Sequence, residues 1–157
     1  MSCLIRPMKE NEYPLLEDFL YEAVFQKEGR KKAPRSIIRS PALYAYIEGF
    51  GTRKGDLCFC IEKDGNVVGA AWTRLMHGFG HVDDETPELA VSLYTTSRGR
   101  GLGTALIRRM LRELQARGYR RTSLSVHKAN PAAALYIRLG YRVAREQGED
   151  MVMEYVF

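Results

Sequence analysis

The first third of the chain alternates apolar and polar residues with the periods of strands and helices. Cys3 to Pro7 predicts a first strand, and the segment from Asn11 onward predicts a helix with Pro14 in its first turn. The apolar face of that helix is formed by Leu15, Leu16, Phe19, Leu20 and Val24. A second helix is predicted from Pro41 to Gly49, with Ser40 as its N-cap.

Strand patterns dominate the middle of the chain. Asp56 to Glu62 and Val67 to Met76 predict two strands, and Asp64-Gly65 between them is typical of a hairpin turn. The later elements alternate strand, helix, strand, helix, strand and strand: Glu88 to Tyr94, Thr104 to Arg117, Thr122 to Val126, a short helix after Asn130, Tyr141 to Arg145 and Met151 to Phe157. This order predicts an open, mixed α/β sheet with helices on both faces.

A glycine-rich basic turn runs directly into the helix that begins near Thr104. Its sequence is Arg98-Gly99-Arg100-Gly101-Leu102-Gly103. Glycines let main-chain N–H groups approach an anion closely, and a helix N-terminus favours negative charge. The turn lacks the Gly-Lys pair of a P-loop, and its glycine spacing differs from the dinucleotide-binding fingerprint. We therefore predict that it binds the phosphates of another cofactor.

Two motifs resemble those of one known family. Arg98-x-x-Gly101-x-Gly103 is similar to the pyrophosphate loop of the GNAT (Gcn5-related N-acetyltransferase) superfamily. The segment from Asn130 to Tyr141 is similar to that family's second signature, which has Asn, an alanine-rich helix, Tyr and a closing Gly-aromatic pair. The resemblance extends over roughly residues 3 to 157, with specific motifs between residues 88 and 141.

This resemblance implies a fold, a cofactor and a binding site. The implied sheet is mostly antiparallel, with six to seven strands, a central splayed parallel pair and about four helices. The implied co-substrate is acetyl-coenzyme A, whose pantetheine arm would contact the main chain of Leu93, Tyr94 and Thr95. The pyrophosphate would bind Arg98, Gly99, Arg100, Gly101, Leu102, Gly103 and Thr104. Asn130 would contact the cofactor and also start its helix.

The implied reaction is direct transfer of an acetyl group to a primary amine, on a small molecule or a peptide. A main-chain N–H of Leu93 or Tyr94 would stabilise the oxyanion that forms during attack. Tyr136 is the candidate acid for the departing thiolate, because a phenol is protonated at neutral pH. A tyrosine on an apolar helix is also a common core residue.

The amine must lose a proton before it attacks, and the sequence offers several bases. Glu88 lies at the mouth of its strand, and Glu85 belongs to the acidic cluster Asp83-Asp84-Glu85. His81 and water are further alternatives. We expect Glu88 as the catalytic base, and we expect the acidic cluster to attract a cationic acceptor.

Composition narrows the class of protein. With 157 residues, 45% of them hydrophobic, we expect one domain spanning residues 1–157. Apolar runs are far shorter than the roughly 20 residues of a membrane span, and the first residues lack a signal-peptide pattern. We therefore expect a soluble cytoplasmic protein with no membrane partner.

Charge and possible metal ligands add neither a nucleic-acid partner nor a metal to these expectations. The net charge is +5, and basic residues cluster in and behind the glycine-rich turn and in a separate segment, residues 29–35. No aromatic platform or recognition helix supports a nucleic-acid partner. We expect Cys3, Cys58 and Cys60 to be reduced thiols. His77 and His81 combined with Cys58 and Cys60 fall short of zinc-ligand patterns, so we expect no metal.

Two further alternatives stay open at this point. The same fold without turnover would make a non-catalytic acyl-coenzyme A binding or sensing module, which would have no need of an acid at Tyr136. A homodimer through the late strands is common in the family that the chain resembles, although no residue in this sequence requires one.

Overall fold

Seven strands form one sheet in the computed structural model of the chain, which describes residues 3–25 and 31–157. The strands are β1 (Cys3–Pro7), β2 (Leu57–Lys63), β3 (Asn66–Arg74), β4 (Glu88–Leu93), β5 (Arg121–His127), β6 (Arg142–Gln147) and β7 (Asp150–Val156). Their order across the sheet is β1-β2-β3-β4-β5-β7-β6, and every neighbouring pair is antiparallel except β4 and β5. The predicted mixed sheet with one central parallel pair is confirmed.

Within the described residues, four α-helices lie on the two faces of this sheet. They are α1 (Leu16–Ala23), α2 (Pro41–Tyr44), α3 (Leu102–Ala116) and α4 (Ala132–Leu139). Helix α3 follows β4 and helix α4 follows β5, as the alternating pattern predicts. None of the helices formed by residues 3–25 and 31–157 has the length and apolar character of a membrane span.

The first two helices differ from their predictions. The segment after Asn11 is a 3-10 turn over Glu10–Leu15 that contains Pro14, and α-helical structure begins only at Leu16. Proline lacks an N–H and disfavours a helical residue before it, which explains the delayed start. Helix α2 ends at Tyr44 instead of Gly49, and the Ser40 side chain makes no capping hydrogen bond.

The sheet separates two apolar clusters. One lies on the α1 and α2 face and includes Phe19, Trp72 and both buried cysteines, Cys58 and Cys60. The other packs against α3 and α4, and its central residues are Leu106, Ile107, Met110, Leu114, Leu124 and Met153. Each fully buried large side chain contributes about 1.5–3 kcal/mol of transfer free energy. The three cysteines are free thiols, with Cys3 exposed.

A buried ion pair fixes the segment between α2 and β2. The guanidinium of Arg74 on β3 donates to both carboxylate oxygens of Asp56 at 2.9 Å. It also donates to the carbonyl oxygens of Ala45 and Glu48, and both members of the ion pair are 1% exposed. The irregular chain between residues 45 and 56 is thereby attached to the centre of the sheet.

Candidate active site

The parallel strands β4 and β5 pair at one point and then separate. Glu88 lies opposite Ser123, and the N–H of Ser123 donates to the carbonyl of Pro87 at 3.1 Å. Beyond these residues the two strands share no further register in the described sheet. Their carboxyl ends, near Leu93 and His127, therefore border a gap, as the family resemblance implies.

Main-chain groups of β4 face this gap at Leu93. The N–H of Tyr94 donates to the carbonyl of Val68 on β3 at 2.9 Å, so it is occupied within the sheet. Because main-chain groups alternate in direction along a strand, those of Leu93 point to the β5 side. Of the two predicted oxyanion donors, the geometry therefore favours Leu93.

The side chain of Tyr94 lies away from the gap, on the α1 face. Its hydroxyl donates to Asp18 on α1 at 2.9 Å, and burial raises its pKa to about 12. Thr95 begins a short 3-10 turn, Thr95–Ser97, that leads from the strand into the glycine-rich turn. Both residues therefore shape the approach to the turn.

The glycine-rich turn exposes an uncapped helix N-terminus. Gly99 and Gly101 have φ values of 78° and 77°, a conformation that strains other residues. A Cβ added at either glycine would meet open space, so the main chain is accessible from outside. The first intrahelical hydrogen bond of α3 runs from the N–H of Ala105 to the carbonyl of Gly101, and no side chain that the structure describes caps the helix. The N–H groups of Leu102, Gly103 and Thr104 therefore stay available to an anion.

The two arginines of the turn have different surroundings. Arg98 donates to the carbonyl of Leu93 at 3.1 Å and pairs with Glu22 of α1 at 3.0 Å. Arg100 is exposed and forms no ion pair with any residue that the structure describes. Arg98 therefore fastens the turn to α1, whereas Arg100 is the guanidinium that a phosphate can engage without displacing a partner.

Helix α4 carries the two predicted residues of the second signature. The side-chain oxygen of Asn130 accepts from the N–H of Ala132 at 2.9 Å, but the N-cap position of the helix is Pro131, one residue later than predicted. Tyr136 lies in the α3 and α4 core, 8% exposed, with its ring 5.6 Å from that of Tyr141. Its hydroxyl makes no hydrogen bond with a described residue, and burial raises its pKa to about 12.

Glu88 is buried on the other face, where three groups donate to its carboxylate. The donors are the Tyr46 hydroxyl at 2.9 Å, the Gly80 N–H at 2.9 Å and the Gly78 N–H at 2.8 Å. A carboxylate has about four acceptor positions, so one position on Oε2 is left for water or substrate. With 2% of its surface exposed, Glu88 attaches the loop between β3 and β4 to the sheet.

The alternative bases lie in or beside this loop. Glu85 is exposed, and its main-chain N–H donates to Asp83. The ring of His81 stacks on that of His77 and contacts Asp84. The loop also crosses β5, because the Ser123 hydroxyl donates to the carbonyl of Gly80 at 2.7 Å.

Sequence reasoning missed the role of Tyr46. Its hydroxyl donates to Glu88 and accepts from the N–H of Phe79 at 3.0 Å, while the two rings stack. Burial, with the Glu88 charge second, raises the pKa of Tyr46. The spacing Gly78-x-Gly80 is the one available signal, since a Cβ would lie 2.7 Å from a Glu88 oxygen at the first position and 3.1 Å at the second.

A sheet split at its parallel pair, with an uncapped helix N-terminus at the opening, is a geometry that suits a phosphate-bearing ligand between two strands. The family model for the acetyltransferase (GNAT) family matches residues 18–141. The chain belongs to this family, and the resemblance noted in the sequence is confirmed.

Two mycothiol acetyltransferases are similar in sequence to about half of the chain. A mycothiol acetyltransferase from Corynebacterium glutamicum is 43% identical over 87 residues, which are 52% of this chain and 30% of the relative. One from Streptomyces coelicolor is 35% identical over 85 residues, 53% of this chain and 26% of the relative. The match therefore spans less than a third of the length of these relatives.

Solved structures share the whole fold at low sequence identity. PaiA N-acetyltransferase from Thermoplasma acidophilum, in complex with coenzyme A, superposes with a TM-score of 0.73 at 17% identity. The match covers 100% of this chain and 100% of that chain. The ribosomal-protein-S18-alanine N-acetyltransferase from Escherichia coli has a TM-score of 0.68 at 18% identity, with 99% of this chain and 94% of that chain covered. These likenesses show the fold.

Proposed function

We propose that this protein is an acetyl-coenzyme A-dependent N-acetyltransferase that acetylates a primary amine by direct attack. One observation carries the proposal: the exposed N-terminus of α3 lies behind two left-handed glycines, next to the gap between β4 and β5. A diphosphate and a narrow arm attached to it match these two features.

The described residues fit such a ligand. Free N–H groups at Leu102, Gly103 and Thr104, with the Arg100 guanidinium beside them, suit a pyrophosphate. Gly103 itself allows α3 to lie close to β4, because a Cβ there would be 3.3 Å from the Leu93 side chain. The main chain of Leu93 and Thr95 lines the way from the turn to the gap.

Bound acetyl-coenzyme A supplies a thioester whose carbonyl oxygen gains negative charge when an amine attacks. The N–H of Leu93 donates a hydrogen bond to that oxygen, which stabilises the developing charge. Tyr136 donates its hydroxyl proton to the departing sulfur. With a pKa of about 12 its hydroxyl is protonated throughout the neutral range.

Glu88 removes the amine proton through water in this proposal. The open acceptor position on Oε2 is the place for that water, and the three donors hold the carboxylate in a fixed position. Movement of the loop carrying Gly78 and Gly80 would admit the water. Glu85 and His81 are the alternatives, to be distinguished by substitution.

The acceptor class stays broad. Both named relatives are mycothiol acetyltransferases, and the name of one structural neighbour refers to an alanine of a ribosomal protein. The acidic residues Asp83, Asp84 and Glu85 favour a cationic acceptor of either kind. A small-molecule amine and a peptide amine are therefore both candidates.

A non-catalytic module that binds acyl-coenzyme A is the second candidate function. The observation in its favour is the buried position of Tyr136, which is also that of an ordinary core tyrosine. Such a module would bind acetyl-coenzyme A and release no thiol with any amine.

Thermal melting with added acetyl-coenzyme A tests the proposal, because a ligand that binds the folded state raises the melting temperature. We expect a rise that dephospho-coenzyme A and ATP do not reproduce in full. Gly101→Glu should abolish the rise, since it places bulk and negative charge at the N-terminus of α3. Gly118→Glu is the matched control, because Gly118 follows the same helix with φ 86° and equally open space.

An unchanged melting temperature with every nucleotide would contradict the proposal. A rise retained by Gly101→Glu would place the ligand elsewhere. If the parent chain shows the rise and Gly101→Glu abolishes it, screening of amines for thiol release distinguishes an enzyme from a non-catalytic module.

A further inference from the structure

Two imidazoles and a carboxylate converge in the loop between β3 and β4. The Nε2 atoms of His77 and His81 lie 2.9 Å and 3.1 Å from the same oxygen of Asp84. The two rings stack with centroids 4.0 Å apart, and the three ligand atoms all lie within 4.8 Å of one another. The side chains of His77 and Asp84 are 76% and 77% exposed.

This spacing is close to that of a metal centre. Zinc bonds to imidazole nitrogen of about 2.0–2.1 Å in a tetrahedral array place neighbouring ligand atoms about 3.3 Å apart. Small shifts of exposed side chains are enough to bring the three atoms to that distance. The fourth position would face solvent, where water or an external ligand can occupy it.

The main chain that carries these ligands is held at both ends. On one side, the N–H groups of Gly78 and Gly80 donate to the buried Glu88. On the other side, Asp83 accepts from the Thr86 hydroxyl at 2.7 Å and from Arg121 on β5 at 2.6 Å. The fold therefore fixes the separation of the His77–His81 turn and the Asp84 turn before any ion arrives.

We propose that His77, His81 and Asp84 bind one divalent transition-metal ion, for which Zn²⁺ is the natural occupant. Two imidazoles and one carboxylate are ligands that suit zinc and its neighbours better than Mg²⁺ or Ca²⁺. Among the parts of the chain that are described, this is the group of His, Cys, Asp and Glu side chains close enough to hold an ion. Cys58 and Cys60, considered as partners of these histidines from the sequence, are buried in the core instead.

A bound ion would restrict the movement of the loop between β3 and β4, which covers Glu88. His77 and His81 flank the two glycines that bind this carboxylate, so an ion at the loop restricts the movement that admits water to it. A bound ion also occupies the ring nitrogen of His81, which removes His81 from the possible bases. The site does not depend on the proposed acetyl transfer, and neither does its test.

Calorimetric titration of the untagged protein with Zn²⁺ tests the site directly. We expect one ion per chain, and a higher melting temperature with the ion than after chelation. His77→Ala, His81→Ala and Asp84→Ala should each weaken binding at least about tenfold, because even outer-shell partners of a metal contribute about 10- to 100-fold.

His127→Ala is the matched control. His127 also contacts a carboxylate, that of Glu149 at 3.2 Å, but within the described part of the chain it belongs to no group of three possible ligands. This variant should bind Zn²⁺ like the parent chain. Co²⁺ gives a second readout: the expected spectrum has visible ligand-field bands and no thiolate charge transfer.

Three outcomes would overturn the proposal. They are no heat of Zn²⁺ binding, equal loss of affinity in His127→Ala, and a thiolate band with Co²⁺ that disappears in Cys3→Ser. The last result would assign the ion to the exposed cysteine. Melting of the variants without metal establishes that each one folds.

Discussion

Tyr136 and Tyr141 lie five residues apart in one core, but only Tyr136 is proposed to take part in turnover. Tyr136→Phe should lower the turnover number by about 10- to 10³-fold, because it removes the acid that protonates the departing thiol. Affinity for acetyl-coenzyme A should change little. Steady-state kinetics with an accepted amine, together with the melting titration, measure the two quantities separately.

Tyr141→Phe is the control for this substitution. The Tyr141 hydroxyl is buried and has no hydrogen-bond partner among residues 3–25 and 31–157, so its removal should leave stability unchanged or raise it. Turnover should stay at the parent level. A loss of turnover shared by both variants would point to packing of α4, and normal turnover in Tyr136→Phe would remove Tyr136 from the mechanism.

Glu12 links stability to acid pH. Its carboxylate forms two bonds of 2.8 Å with Arg6, and this pairing lowers its pKa from 4.5 to about 2. A carboxyl whose pKa is lowered by folding stabilises the protein above its unfolded pKa. That contribution is lost as pH falls from about 4.5 through about 2, the two pKa values of the group.

Glu12→Gln should therefore lower the free energy of unfolding at pH 7 by on the order of 1 kcal/mol, since the pair is partly screened by solvent. Its stability should then fall less than that of the parent chain between pH 5 and pH 2. Urea denaturation across this range measures both effects. Glu10→Gln, an exposed carboxyl of the same turn, should leave the acid dependence intact; an equal flattening in that variant would contradict the assignment.

The segment between α2 and β2 depends on the buried Arg74–Asp56 pair. Arg74→Met should lower the free energy of unfolding by about 3–5 kcal/mol, because it leaves the Asp56 carboxylate buried without its partner. Denaturant unfolding at neutral pH gives the value. The chain around Tyr46 should also loosen, since Arg74 binds the carbonyls of Ala45 and Glu48.

Arg39→Met is the comparison for this effect. Arg39 pairs with Glu17 at 2.7 Å on the surface, where its side chain is 56% exposed. Loss of an exposed pair costs at most about 1 kcal/mol. A similar loss of unfolding free energy in both variants would show that burial does not make the Arg74–Asp56 pair more important than a surface pair.

Elements with local signals could be predicted from the sequence, and those that depend on distant residues could not. The β2–β3 hairpin follows from period-two alternation and the Asp64-Gly65 pair. The glycine-rich turn before α3 follows from its run of glycines, and all of these signals are local. The extent of α2 could not be predicted, because its end is set by the burial of Tyr46 and Phe50 and by the bonds to Arg74.

The same division holds for the candidate site. The glycine-rich turn is contiguous, and its uncapped N–H groups follow from the helix that it begins. The environment of Glu88 depends on Tyr46, which is 42 residues away, and no pattern in the sequence joins them. The hydrogen bond of the Tyr94 N–H could not be predicted either, because it depends on the register between β3 and β4.

At the scale of the whole molecule, β6 forms one edge of the sheet. All six of its residues are exposed, and Val143 has 45% of its surface accessible. A homodimer through the late strands is common in the family that the chain resembles, and unpaired edge groups can supply main-chain hydrogen bonds. We predict a dimer by light scattering, which Val143→Asp should dissociate.

Leu4→Asp serves as the control for the dimer. Leu4 is 52% exposed on β1, at the opposite edge of the same sheet. This variant should leave the molecular mass unchanged. A monomeric parent chain, or dissociation by Leu4→Asp alone, would contradict a dimer through β6.

The single point of pairing between β4 and β5 makes the chain divisible. A cut in the turn between Ala116 and Arg121 yields one fragment ending with α3 and another carrying β5, α4, β6 and β7. The two fragments would share one strand contact at Glu88 and Ser123, the bonds from Arg121 and Ser123 to the loop between β3 and β4, and the α3-side core. A ligand seated in the gap touches both pieces, so their reassembly would report the concentration of that ligand, which is the working principle of a split biosensor.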